Sequence, residues 1–175
     1  LDAFVAEKNL GLEARLRLFI AICDAVQHGH QRGVIHRDLK PSNVLIDLEG
    51  HPKVIDFGVA RATDSDLALT TQFTRVGEFL GTLSYMSPEQ CEADPGKLDS
   101  RTDIYSLGVM LYELACGRPP YDLSGRSLVA AALHIREQEP LAPHLVAHGL
   151  RRDLEAVVMK CLEKDPQRRY PTSEA

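Results

Sequence analysis

Apolar residues recur at Leu12, Leu16, Phe19, Ile20, Cys23 and Val26 between Gly11 and Gln31. Spacings of three and four put them on one stripe of a helix, and Gly33 just beyond supplies a stop signal. The pattern then breaks into short runs: Val34-Ile35, Val44-Leu45-Ile46 and Lys53-Val54-Ile55. The first reads as a short strand. The other two flank the turn segment DLEGH, residues 47–51, and read as a β-hairpin. From Ala62 to Glu89 no period holds, and the stretch carries Thr63, Ser65, Thr70, Thr71, Thr74, Thr82 and Ser84. A loop that long in a compact domain points to function or disorder. Between Thr102 and Cys116 the chain turns apolar nearly all round (Ile104, Leu107, Val109, Met110, Leu111, Leu114), as in a helix buried on every side. Gly117, Pro119 and Pro120 end it. Further helices are predicted over Ser127–Glu137 and Arg151–Glu163, the latter with Leu154, Val157, Val158, Cys161 and Leu162 on one face. The closing YPTSEA reads as the opening of another helix. The sum is an α+β domain, mostly helix with a few short strands.

At 175 residues the chain has the size of one domain, enough for a real core. Its 44% hydrophobic and 26% charged residues suit a soluble globular protein. A net charge of -5, with no long run of Lys or Arg, argues against a nucleic-acid partner. Cys23, Cys91, Cys116 and Cys161 lie far apart without C-x-x-C spacing, which points to free thiols in a reducing compartment. No apolar run reaches the length of a membrane span. The chain starts at Leu1, not Met, so both ends read as cuts within a longer protein.

The chemistry concentrates in HRDLKPSN. Asp38 and Lys40 stand two apart, and Asn43 follows five after Asp38, on a loop anchored by apolar runs. A rigid scaffold presents polar groups in this way. A second stretch, IDFG, places Asp56 just after an apolar run, with Gly58 free to bend sharply. If the hairpin closes, Asn43 and Asp56 meet at one edge. An amide oxygen beside a carboxylate suits Mg²⁺.

These stretches resemble the catalytic loop and magnesium motif of protein kinases, H-R-D-x-K-P-x-N followed by D-F-G. The resemblance implies that Asp38 accepts the substrate hydroxyl proton, Lys40 neutralises the transferred phosphoryl, and Asn43 and Asp56 hold two Mg²⁺ ions. It further implies that Leu45 floors the adenine pocket with Ile55 behind it, and that His36 and Phe57 pack inside to align the two motifs. GTLSYMSPEQ, Gly81 to Gln90, is similar to the substrate-docking loop, with Ser87-Pro88-Glu89 in place of the usual Ala-Pro-Glu. Thr82 would bond the catalytic Asp and Lys. In DIYSLGV, Asp103 would tie down the catalytic-loop backbone. In KDPQRRY, Arg169 would pair with Glu89, with Arg168 the weaker choice. Arg37, before the catalytic Asp, would meet a phosphate on the activation loop, where Thr70, Thr71 and Thr74 are candidate phosphosites and Thr74 is preferred on position.

Five motifs in order, with an 18-residue step from Asp38 to Asp56, cover essentially the whole chain. Their wording is closest to the eukaryote-like Ser/Thr kinases of bacteria. The resemblance therefore implies a protein-kinase-like fold, here the mainly α-helical C-terminal lobe with a short β-hairpin carrying the catalytic loop. Residues 1–175 would be a partial kinase domain without its N-terminal lobe and truncated at its C-terminal end. No G-x-G-x-x-G phosphate loop occurs in the sequence. The implied reaction is transfer of the ATP γ-phosphoryl to Ser or Thr hydroxyls of a protein substrate, with Mg²⁺ (or Mn²⁺), in the cytoplasm. Any membrane association would come from parts outside this segment, and the isolated segment would be inactive. Other readings remain beside this one. Taken alone, Asp38 is more often a loop-capping carboxylate, and Asn43 and Asp56 are common turn residues. His28, His30 and Cys23 read as helix-surface and core residues rather than a metal cluster. A pseudokinase binding module is the alternative to an enzyme.

Overall fold

A computed structural model describes residues 1–57, 81–92 and 98–174. The elements run α1 (Asp2–Glu7), α2 (Leu12–His30), β1 (Val44–Ile46), β2 (Pro52–Val54), α3 (Pro88–Cys91), α4 (Ser100–Cys116), α5 (Leu128–Glu137) and α6 (Arg152–Cys161). Single 3₁₀ turns cover Pro41–Asn43, Pro143–Leu145 and Pro166–Arg168.

Helix α4 forms the centre. Twelve of its residues are buried, from Thr102 to Leu114, and they point in every direction around the axis. The Asp99 side chain caps its start by accepting the Arg101 N–H at 2.8 Å. Gly117 ends it at φ 71°, a left-handed geometry that glycine adopts without steric cost. Both α2 and α6 pack against α4. The contact with α6 is close because of Gly108: a Cβ added there would lie 2.5 Å from the Cβ of Cys161. The cysteines are all unpaired. Burial pushes the thiols of Cys23, Cys91 and Cys161 up to about 12, so they pack as small apolar groups.

Helix α2 follows its predicted span but not the full stripe. Phe19, Ile22 and Val26 point inward, while Ile20 is 59% exposed. Positions 19, 22 and 26 are spaced three and four apart, and Ile20 falls a residue off that face. Val34-Ile35 forms no strand. Among the described residues no strand pairs with them; instead the Val34 N–H bonds back to Gly29 O at 3.0 Å, closing the end of α2. Helix α1 has no counterpart in the predicted elements, because six residues show too little periodicity. Residues 171–174 form bends and turns, not a helix start.

The hairpin is antiparallel, pairing Val44 with Val54, Leu45 with Lys53 and Ile46 with Pro52, one residue earlier on the second strand than predicted. Its turn is tied by Asp47, whose Oδ1 accepts the N–H groups of His51 (2.8 Å) and Glu49 (3.0 Å). These bonds hold the Asp47 carboxyl below its usual range. Among the described residues no helix is long and apolar enough to cross a membrane.

Candidate active site

The site is built outward from a buried carboxylate. Asp103, in the first turn of α4, is fully buried. Its Oδ2 accepts the His36 N–H at 2.8 Å and its Oδ1 the Arg37 N–H at 2.8 Å. A third donor is His30 at the end of α2, whose Nε2 lies 2.7 Å from Oδ2. Two consecutive backbone amides are thus fixed by one side chain 66 or 67 positions away. That grip sustains an unusual backbone. Arg37 sits at φ 65°, left-handed for a non-glycine residue, a conformation that costs about 1–3 kcal/mol and persists only where surroundings over-determine it.

His36 carries the order onward. Its Nδ1 accepts the Asp38 N–H at 3.3 Å, so its Nε2 holds the proton and donates to Ile55 O at 2.9 Å. Its ring lies 4.9 Å from that of Phe57. One fully buried imidazole therefore links the loop carrying Asp38 to the segment carrying Asp56. Phe57 also meets Gly29 of α2, where a Cβ would come within 2.7 Å of the ring.

Four polar side chains meet at the loop. Lys40 Nζ lies 3.0 Å from Asp38 Oδ2 and donates to Thr82 Oγ1 at 3.1 Å. Asn43 Nδ2 donates to Asp38 O at 2.8 Å and reaches Asp38 Oδ2 at 3.3 Å. The Asp38 carboxylate is 28% exposed and the Lys40 side chain 21%, so a ligand can reach both. Asn43 is buried at the end of a 3₁₀ turn that Pro41 initiates. Its carbonyl accepts the Ile55 N–H at 2.9 Å, which brings Asp56, the next residue, beside the Asn43 turn. Asp56 is also left-handed, at φ 59°. Leu45 is 54% exposed in mid-strand, an apolar side chain open to a ligand, and Ile55 is half-buried. Gly58, Thr70, Thr71 and Thr74 lie outside the described residues.

Glu89 and Arg169 form a bidentate pair, with both N···O distances 2.7 Å and side chains 5% and 0% exposed. Each remaining guanidinium N–H has an acceptor: Glu163 O, Arg101 O and Lys164 O, at 2.7–3.1 Å. Thr102 Oγ1 donates to Glu89 Oε1 at 3.0 Å. Burial would raise the Glu89 pKa, but the Arg169 hydrogen bonds and charge outweigh it and hold the carboxyl below its usual range. Arg168 instead reaches Glu163 near the surface, at 3.3 Å. His30, Gly29 and Thr102 lie outside the residues singled out by motif, and Gln90, the last residue of GTLSYMSPEQ, carries no assigned role there. Each acts across a long sequence gap, and only Thr102, adjacent to Asp103, and Gln90, adjacent to Glu89, had a flagged neighbour to draw attention to them.

Residues 2–175 match the protein kinase domain family. Over 152 residues, 86% of the chain, it is 44% identical to serine/threonine-protein kinase PknB of Mycobacterium leprae and 45% identical to that of Mycobacterium tuberculosis. Over 164 residues, 93% of the chain, it is 41% identical to a probable serine/threonine-protein kinase of Streptomyces coelicolor. In each case the match spans 23% of the relative's own length. The chain belongs to the protein kinase domain family, whose members in general use ATP and a divalent cation and act on proteins.

Proposed function

We propose that this chain is the larger, catalytic-loop-bearing lobe of a serine/threonine protein kinase, and that the protein containing it transfers the γ-phosphoryl of ATP to Ser or Thr hydroxyls. The observation that carries the reading is the convergence of Asp38, Lys40, Asn43 and Thr82 on one partly open cluster. Asp38 offers a carboxylate that can take the hydroxyl proton. Lys40, bonded to both Asp38 and Thr82, sets a fixed positive charge where negative charge gathers on the moving phosphoryl. Thr82 ties the substrate-docking segment to that lysine.

The donor set fits Mg²⁺ (or Mn²⁺): hard oxygens only, from the Asn43 amide and the Asp56 carboxylate. The Asn43 amide nitrogen is committed to Asp38, which orients its oxygen as the ligand atom. Such an ion would supply charge neutralisation to the ATP phosphates. Leu45 would meet the adenine face, with Ile55 behind it. Arg37 would receive a phosphate on the segment holding Thr70, Thr71 and Thr74. Its Nε is buried without a hydrogen-bond partner among the described residues, as suits a group awaiting an anion.

The test is phosphoryl transfer by the full-length protein with Mg-ATP and a Ser/Thr protein substrate. Asp38→Asn should lower kcat by about 10²–10⁴, the usual worth of a general base, with folding intact. A near-wild-type rate would remove Asp38 from that role. The segment 1–175 by itself should show no transfer, since no glycine-rich phosphate loop is present in its sequence.

A further inference from the structure

Helix α3 begins with a capping box. Ser87 Oγ accepts the Gln90 N–H at 3.4 Å, and Gln90 Oε1 accepts the Ser87 N–H at 3.0 Å. Glu and Gln complete such a box equally well, because both use a side-chain oxygen. Gln has a donor left over. Here that donor is spent: Gln90 Nε2 bonds to the backbone oxygen of Arg37 at 2.7 Å. The orientation of the amide is unambiguous, since Ser87 N can only donate and Arg37 O can only accept.

Arg37 is the left-handed residue immediately before Asp38. Its N–H is held by Asp103 and its C=O by Gln90, so the strained residue is clamped on both sides. Asp103 belongs to the fixed core, but Gln90 belongs to the segment that carries Thr82, Tyr85 and Ser87. The Arg37 C=O and the Asp38 N–H share one peptide plane. The Gln90 bond therefore sets the tilt of the peptide that leads into Asp38.

Resting on the kinase reading above, we propose that Gln90 is a positioning residue that couples the substrate-docking segment to the catalytic loop, by holding the Arg37–Asp38 peptide in its productive orientation. It touches neither substrate nor phosphate and acts through Arg37. A carboxylate at position 90 would keep the capping box and lose this tie, since it has no N–H to offer.

The discriminating variant is Gln90→Glu in the full-length protein, with Gln90→Met as an uncharged second. Steady-state kinetics, thermal unfolding and amide exchange at residues 37–39 are measured for each. In Gln90→Glu, kcat should fall about tenfold or more, the scale of a small misplacement of a reacting group. KM for ATP and for the protein substrate should stay within about twofold, because binding groups are untouched. Exchange at residues 37–39 should quicken, with Tm close to wild type. Gln90→Met should show the same loss of kcat and the same faster exchange. Unchanged kcat and exchange in both variants would overturn the proposal. So would a fall in kcat that merely tracks a lower Tm and a higher KM, which marks a structural role only. If the wild-type protein transfers no phosphate, the kinase reading fails by itself, and the exchange rates alone decide whether Gln90 holds the loop.

Discussion

His30 and Asp103, 73 positions apart, meet through a 2.7 Å hydrogen bond with side chains 7% and 0% exposed. The bond gives Asp103 Oδ2 a second donor beside the His36 N–H, so a buried carboxylate ends with three partners. Removing one should cost about 1–3 kcal/mol, the price of under-satisfying a buried charged acceptor. His30→Leu is therefore expected to lower the unfolding free energy by that amount in urea titration, with a loss of kcat as the loop loosens. Asp103→Leu should cost more, because two backbone amides and the imidazole would all lose their acceptor. If the two variants prove equally stable, the carboxylate is not the hub of this network.

Arg169 is predicted to be intolerant of single replacement. Arg169→Met leaves Glu89 charged and buried and should destabilise by about 3–5 kcal/mol, whereas Glu89→Met with Arg169→Met should recover much of that. The pair also fixes an acid dependence. The folded pKa of Glu89 lies below its free value of about 4.5, so its contribution is fully present above that pH and is lost as pH falls through the lower folded value. The stability gap between wild type and Glu89→Gln should thus be constant from pH 7 to about 5 and narrow below 4.5. A gap that widened on acidification would contradict the depressed pKa.

The α4–α6 contact makes Gly108 irreplaceable. In Gly108→Ala the new methyl would sit 2.5 Å from a Cβ, which no rotamer can move. The helices must part, at a cost of about 1–3 kcal/mol typical of overpacking. Thermal unfolding checks this, and an unchanged Tm would mean that α6 slides freely on α4.

What could be read in the sequence was what repeats locally or sits in a compact motif. The all-apolar stretch of α4, the turn in the hairpin and the loop bearing Asp38, Lys40 and Asn43 each declare themselves within about ten residues. Family membership follows from those motifs in order. The supports of the site do not declare themselves. His30 reads as a surface histidine on a helix until Asp103 is brought to it. The bond from Gln90 to Arg37 O is invisible because the two residues stand 53 positions apart. Val34-Ile35 has strand composition but no strand beside it among the described residues, and Ile20 and Ile22 exchange places because the true stripe is set by what α4 presents to α2. Each miss is a tertiary fact with no local trace.

Gly29 shows how such a fact can be tested. Alanine near the end of α2 should favour the helix by up to about 1 kcal/mol over glycine. The same methyl would stand 2.7 Å from the edge of the Phe57 ring, which must then swing away. A ring is easily moved, so Gly29→Ala should leave stability within about 1 kcal/mol of wild type. The displaced ring, however, is the one packed 4.9 Å from His36, beside the imidazole that bonds both Asp38 N and Ile55 O. Turnover should therefore fall with little change in Tm, and Phe57→Leu, smaller at that edge, should restore part of it in the Gly29→Ala background. A crystal structure of Gly29→Ala with Phe57 unmoved, together with wild-type kcat, would show that the ring does not transmit order between the two motifs.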